Sequence, residues 1–399
     1  MFALSLFKVF SAHILVCSAL IQQPLTVQPE ATGEPLVFGM STALTGPAAD
    51  LGFEMRAGVL AAFDEANRNG GINGRPLHLI SYDDGYEPSA TVPNMRRLIQ
   101  QDQVLGVIGN VGTPTAVAAL PIVCKEMTPF IFAYSGAGVL RREKPDPCVI
   151  NYRASYAEET EMMVDALIEH AGISPQEIGF FTQRDAYGDA GFAGGIRALK
   201  RHGIEDNSFI AHGRYERNSS AVENAIADLL LAPIPPRAVV MVGTYAPCAK
   251  AILLAKEAGL EAIFLNVSFV GATSLAKALG DQGDGVIVTQ VVPHILSDLP
   301  LVKEYRQAMR FDDKKRALSF PSLEGYIAGR ILCLGLQQTN AEISRPAVIH
   351  SLIGLGKFDI GLGIPLLLAK GKQQASHNIW PTVNKNGKVL PFEWNDFNK

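Results

Sequence analysis

Val107-Ile108-Gly109-Asn110-Val111-Gly112-Thr113-Pro114 and Val239-Val240-Met241-Val242-Gly243-Thr244-Tyr245, the second with Pro247 close behind, are two versions of one junction. Each is a buried-type apolar strand that runs into Val-Gly-Thr and then into a helix start with proline in its first turn. Glycine lets backbone come close to a ligand, and threonine is a good N-cap. Proline at the first helical position gives up a donor that the helix does not use. The remaining free N–H groups and the helix dipole favour an anion such as a carboxylate. In open α/β sheets, ligands bind beyond the carboxyl ends of the strands. One copy alone reads as a good helix start. Two copies at equivalent places, one in each half of the chain, point to two walls of one cleft.

Working outward, short apolar runs alternate with amphipathic stretches from Leu36 onward, the pattern of βαβ units. Leu36–Thr42 reads as the first strand, and Met55, Val59, Ala62, Phe63 and Ala66 fall on one face of a helix that Gly70-Gly71 stops. Strands follow over 77–82, 104–108 and 130–133, with helices at about 90–101 and after Pro114; this first unit ends near 148–152. The pattern then restarts. Met163, Ala166, Leu167 and His170 share a helical face, strands are expected over 177–182, 238–242, 262–265 and 285–291, and Ser220 with Glu223 has capping-box spacing. Helices around 301–309 and 323–336 and short strands complete the chain. Ser135-Gly136-Ala137-Gly138 follows the fourth strand, so its hydroxyl and N–H groups face the same cleft. Tyr187 and Tyr245 are candidates to cover the ligand from the opposite wall, or are tyrosines at surface turns.

Composition narrows the function. The chain has 399 residues, enough for two domains, with 48% hydrophobic and 19% charged residues and a net charge of −4. No cationic stripe interleaves with aromatics, so a nucleic-acid partner has little support. Lys8 precedes an apolar stretch to Ala19, and Cys17-Ser18-Ala19 has small residues of the kind read at a cleavage site. Residues 1–31 are therefore expected to be a signal peptide and linker, and the mature protein a soluble, exported one. Cys124, Cys148, Cys248 and Cys333 form no metal-ligand spacing; Cys124 and Cys148 are either a disulfide or buried free thiols. No dinucleotide fingerprint, Walker loop, nucleophile elbow or paired-histidine motif occurs. Asp83-Asp84 is a poor acid/base pair because adjacent strand residues face opposite ways. No enzyme activity, cofactor or metal is expected.

Leu44-Thr45-Gly46-Pro47, Gly52, Ala66-Asn67, Gly70-Gly71-Ile72-Asn73-Gly74 and Tyr82-Asp83-Asp84 together resemble the start of the leucine/isoleucine/valine-binding type of periplasmic solute-binding proteins of ABC transporters. Asp185-Ala186-Tyr187-Gly188 and Val242-Gly243-Thr244-Tyr245 are similar too, and the resemblance runs from about Leu36 to at least Tyr326. It implies a type I periplasmic-binding fold: two doubly wound, Rossmann-like α/β lobes joined by three crossings. Lobe one is expected over 35–152 plus about 290–375, and lobe two over 153–289 plus about 376–399. The resemblance also implies that Gly112, Thr113, Ser135, Gly136 and Ala137 hold a ligand carboxylate. Tyr187, Thr244 and Tyr245 would close from lobe two, with Leu51 bordering the cleft. Ser268 stands where amino-acid binders of the family commonly place a Glu for the ammonium, which opens the ligand class to acids or amides without a free amine. The expected function is a periplasmic, monomeric binding component that closes on an amino acid or small carboxylate and is recognised by a membrane permease. An exported sensor is the alternative, and an enzyme the lesser one.

Overall fold

The computed structural model describes residues 31–311, 316–339 and 342–398. The expected signal peptide and the linker as far as residue 30 lie outside the described residues. The first lobe is built from β1 (Leu36–Thr42), α1 (Ala49–Arg68), β2 (Leu77–Asp83), α2 (Pro88–Gln100), β3 (Val107–Ile108), α3 (Thr113–Lys125), β4 (Phe130–Ile131) and β5 (Val149–Ile150). Its sheet has the order β2-β1-β3-β4-β5 with every pair parallel. The second lobe runs through α4 (Tyr156–Glu169), β6 (Ile178–Gln183), α5 (Ala186–Arg201), β7 (His212–Tyr215), α6 (Glu223–Leu230), β8 (Ala238–Val242), α7 (Tyr245–Glu257), β9 (Ile263–Asn266), α8 (Ala272–Leu279) and β10 (Ile287–Gln290). Its parallel part has the order β7-β6-β8-β9-β10, which repeats the winding of the first sheet. In both lobes the third strand, β3 or β8, sits beside the first at the point where the winding reverses. The two Val-Gly-Thr junctions leave the sheets there, the position at which doubly wound folds bind ligands.

The chain then returns to the first lobe with α9 (Pro300–Arg310), α10 (Phe320–Gln337), α11 (Arg345–Ile353) and the hairpin β11 (Gly356–Phe358)–β12 (Leu366–Leu368). It ends on the second sheet with β13 (Trp380–Lys385) and β14 (Lys388–Pro391), both antiparallel to their neighbours. Three segments therefore cross between the lobes, after β5, after β10 and before β13. Two of them run side by side: Asn151 N–H donates to the Gln373 carbonyl at 2.7 Å and Ser376 N–H to the Tyr152 carbonyl at 2.8 Å. Tyr152 Oη donates to the Val291 carbonyl at 3.2 Å, which ties in the third.

Local chemistry accounts for where elements start and stop. β3 and β4 are shorter than the apolar runs that mark them, because Gly109 and Phe132 turn to φ +70° and +49° and end the ladders. The Ser220/Glu223 spacing is not a capping box: Val222 precedes α6 without a side-chain cap, and Lys250 Nζ takes both the Ser220 carbonyl and the Glu223 carboxylate. A capping box does open α4, where Ser155 Oγ accepts from Glu158 N–H at 3.2 Å and Glu158 Oε2 accepts from Ser155 N–H at 2.6 Å. Asp83 gathers the N–H groups of Leu44, Thr45 and Gly85, while Asp84 accepts from Ser41, Thr91 and the Tyr86 N–H. The adjacent carboxylates thus serve separate networks. Cys124 and Cys148 are free thiols with sulfurs 3.2 Å apart. Among the described residues no helix is long and apolar enough to cross a membrane.

α10 packs along α1 with almost no side chain between the two backbones. A Cβ on Gly58 would lie 1.9 Å from the Ser322 carbonyl oxygen, and one on Gly325 would lie 2.2 Å from that of Met55. Backbone cannot yield as a flexible side chain does, so even one methyl must push the helices apart. Gly325→Ala is expected to lower the unfolding free energy by about 1–3 kcal/mol in urea titration, the usual range for overpacking. A change under about 0.5 kcal/mol, the size of an ordinary surface substitution, would show that the helices are free to separate.

Candidate functional site

The loops that leave the two switch points face each other, and the lobes are closed. Asp50 at the start of α1 accepts from Ser274 Oγ at 2.8 Å, Arg217 Nη2 donates to Glu87 at 2.8 Å, and Asn218 donates to Glu87 and to the Gly85 carbonyl. Leu51, fully buried, fills the space beside Gly271 that a side chain would otherwise take. Tyr245 is half-buried on the same rim. The centre is occupied by Phe269, in the turn that follows β9. Its ring lies 5.1 Å from that of Tyr134 and 4.7 Å from Tyr187, with Tyr86 and Tyr156 farther off at 6.0 and 6.2 Å. Contacts of this geometry add to simple area burial.

The candidate carboxylate loops meet directly. Thr113 Oγ1 and Ser135 Oγ share a hydrogen bond of 2.7 Å, and Ala137 N–H donates to Ser135 Oγ at 3.3 Å. Neither threonine caps its helix as expected: Gly112 is the residue before α3, so Thr113 already lies inside the helix, and Thr244 precedes α7 without a side-chain cap. Thr244 instead gives its N–H to Tyr215 Oη at 3.0 Å. The glycines have a structural reason as well. The Tyr86 ring lies 2.2 Å from where a Gly112 Cβ would stand, and the Tyr156 ring 2.7 Å from that of Gly136. Arg141 braces the second loop by donating to the carbonyls of Ser135, Ala137 and Arg153. Beside Thr113 a cavity of about 440 Å³ opens between the lobes, lined among others by Ala137, Ala157, Ala186, Ala190 and Arg197.

Tyr187 is a core residue rather than a surface one. It is fully buried, donates to the Gly243 carbonyl at 3.1 Å, and rests on Tyr156 with ring centroids 4.9 Å apart. Its truncation to alanine would open a cavity, so Tyr187→Phe is the cleaner probe of the hydroxyl.

Ser268 lies beside a carboxylate, but one supplied from elsewhere. Ser268 N–H and Oγ donate to the two oxygens of Glu159 at 2.7 and 2.9 Å, and Thr289 Oγ1 donates to the same carboxylate at 2.6 Å. Arg153 Nη2 donates to Ser268 Oγ. Arg153 has no solvent contact and also stands 3.6 Å from Glu159 Oε1 and 3.6 Å from Glu324 Oε2, on α10 of the other lobe. The rings of Tyr134 and Tyr156 lie 4.7 and 5.7 Å from its guanidinium carbon. Sequence reasoning missed this cluster. Signals were present: Glu159 sits four residues before Met163 on the buried stripe of α4, and Glu324 is the lone carboxylate in a mostly apolar helix. Neither signal says which charges meet.

Burial sets the electrostatics. It pushes the Glu324 carboxyl up to about 7, against the opposing pull of Arg153, and it also raises Glu159, which Arg153 and its hydrogen bonds hold back. Burial alone would lower the Arg153 guanidinium; Glu324, Tyr156 and Glu159 reverse that and keep it firmly charged. Among the described residues no cluster of His, Cys, Asp and Glu could hold a metal ion.

A carboxyl raised on folding stabilises the fold below its unfolded value of 4.5, and that contribution is lost as pH rises through about 7. Stability is therefore expected to fall between pH 5 and 8, and Glu324→Gln to flatten that slope in denaturant titrations. Glu54 and Asp84, raised to about 7 and about 6, move in the same direction, so the difference between wild type and variant is the informative quantity. An unchanged slope in the variant would mean that Glu324 stays ionised.

Comparison with known proteins agrees with this architecture. The periplasmic binding protein family matches residues 35–388. A solved structure from Rhodopirellula baltica SH 1, a "possible leucine/isoleucine/valine-binding protein", is 52% identical, superposes with a TM-score of 0.90, and covers 93% of this chain and 100% of its own. A substrate-binding periplasmic protein from Ralstonia solanacearum is 29% identical with a TM-score of 0.82, covering 90% of this chain and 100% of its own. The leucine-, isoleucine-, valine-, threonine- and alanine-binding protein of Pseudomonas aeruginosa is 25% identical over 325 residues, 74% of this chain and 76% of that one. With two equally wound lobes, three crossings and facing switch-point loops, this chain belongs to the periplasmic binding protein family, on the leucine/isoleucine/valine-binding side of it.

Proposed function

We propose that this protein is the exported binding component of an ABC transporter and closes about a hinge on an amino acid or a related small carboxylate. The hinge divides the chain into 35–152 plus about 290–375 and 153–289 plus about 376–399, a division supported by the segments that pass between the sheets after β5, after β10 and before β13. The observation that carries the reading is the closed interface itself. Two helix-start loops at equivalent switch points face one another, and the hydroxyls of Thr113 and Ser135 meet there. Helix N-termini and hydroxyls take the anionic end of the solute. Opening carries Phe269 and Tyr187 away from Tyr134 and Tyr86, which admits the solute. The cavity beside Thr113 accommodates its remainder. No covalent chemistry is required, and the closed form, with both lobes in one relative orientation, is what a membrane permease recognises.

The test is a thermal-shift titration of the leaderless protein against amino acids, their deaminated acids, amides and aromatic acids. A ligand at a hundred times its Kd stabilises by about 2.7 kcal/mol, a readily measured shift. Thr113→Ala removes a hydroxyl from the anion site and is expected to weaken binding by about tenfold or more, since a hydrogen bond to a charged group contributes about 1.5–3 kcal/mol. Wild-type affinity in Thr113→Ala would place the site elsewhere, and no shift with any compound would count against solute binding.

A further inference from the structure

We infer that Arg153 is the counter-charge for the ligand's anionic group, and that the protein takes a small organic acid rather than an α-amino acid. This rests on the solute-binding reading above and assigns it a specificity residue. The observation is a mismatch between burial and bonding. Arg153 lies between the lobes without solvent contact, yet its Nε and Nη1 have no hydrogen-bond partner. Glu159 and Glu324 stand 3.6 Å from it, beyond hydrogen-bond reach, and only Ser268 receives a bond from it. Tyr156 connects this guanidinium to the candidate carboxylate loops. Its ring faces Arg153, its hydroxyl lies beside Ser135 and the Gly136 N–H, and that hydroxyl is also buried without a hydrogen bond of good geometry.

The unmet groups are donors: the Nε–H and the two Nη1 N–H bonds of Arg153, and the Tyr156 phenol. Leaving buried donors unmade costs free energy, most of all when they are charged. What such donors lack is an acceptor, and a carboxylate matches a guanidinium in charge. A ligand ammonium finds no such vacancy at Ser268. The Glu159 carboxylate beside it already accepts from the Ser268 N–H and Oγ and from Thr289 Oγ1. The anionic end therefore sits among Thr113, Ser135, Tyr156 and Arg153.

The experiment is calorimetric titration of the leaderless protein with 4-methylpentanoate, 4-methyl-2-oxopentanoate, phenylacetate and benzoate, with the matching amides, and with leucine and phenylalanine. At least one acid is expected to bind, with its amide and its amino-acid counterpart at least tenfold weaker. Arg153→Lys keeps the charge that Glu159 and Glu324 need but changes the donor geometry. It is expected to weaken the acid at least tenfold and to narrow the gap between acid and amide, a loss of discrimination that a purely structural role would not produce. Tyr156→Phe removes one hydroxyl and is expected to weaken the acid severalfold, which keeps the test valid if Arg153→Lys does not fold. Amides binding as tightly as acids, or both variants binding the acid as wild type does, would overturn the inference and leave solute binding standing. Tighter binding of leucine or phenylalanine than of any acid would do the same. No binding by any compound would remove both.

Discussion

Everything in the closed arrangement depends on one buried charge. Taking a guanidinium wholly out of water costs several kcal/mol unless carboxylates and acceptors surround it. Here those groups come from separate parts of the chain: Glu159 and Ser268 from the second lobe, Glu324 and Tyr134 from the first. Arg153 itself belongs to the first crossing between them. A cluster built in this way is complete only when the lobes are together. In the proposed hinge opening, Glu324 and Tyr134 leave one side of the guanidinium and water enters, so that closure and charge compensation would be one event.

The crossings make that event a rotation rather than a loosening. Two of them are hydrogen-bonded side by side at Asn151–Tyr152 and Gln373–Ser376, and Tyr152 reaches the third through the Val291 carbonyl. Both lobes are rigid sheets covered by helices, so what can change is the angle between them. At the hinge, Glu158 is held down to about 2: burial opposes this, but hydrogen bonds from His377, Ser155 and Gln374 outweigh it. The carboxylate that caps α4 thereby also ties the first crossing to the last.

The fold was legible because its determinants are local or periodic. β8 is an unbroken apolar run, α1 carries its stripe at helical spacing, and the Val-Gly-Thr junction is written twice at equivalent places. Reading that echo as a shared cleft needed only the rule that doubly wound sheets bind ligands at the switch point. Thr113 was proposed from that echo, and Ser135 and Tyr187 from the loops that follow two neighbouring strands. Short-range spacing was less dependable. Ser155–Glu158 and Ser220–Glu223 have the same interval, yet only the first is a capping box, because α6 starts at Glu223 with Val222 before it and Ser220 falls outside the cap position. The Arg153 cluster was the least visible part. Its members lie far apart in the chain, and each alone is an ordinary residue on a crossing or a helix. Phe269 was missed for a related reason: an apolar residue after a buried strand looks like core until the lobes close around it.

Hinge closure is the central claim, and small-angle X-ray scattering of the leaderless protein, with and without a solute shown to saturate it, tests that claim most directly. The account predicts a larger radius of gyration without solute than the closed coordinates imply, and a contraction to the closed value when solute is bound. Identical scattering profiles in the two states would contradict it, because a site buried this completely cannot fill unless the lobes separate.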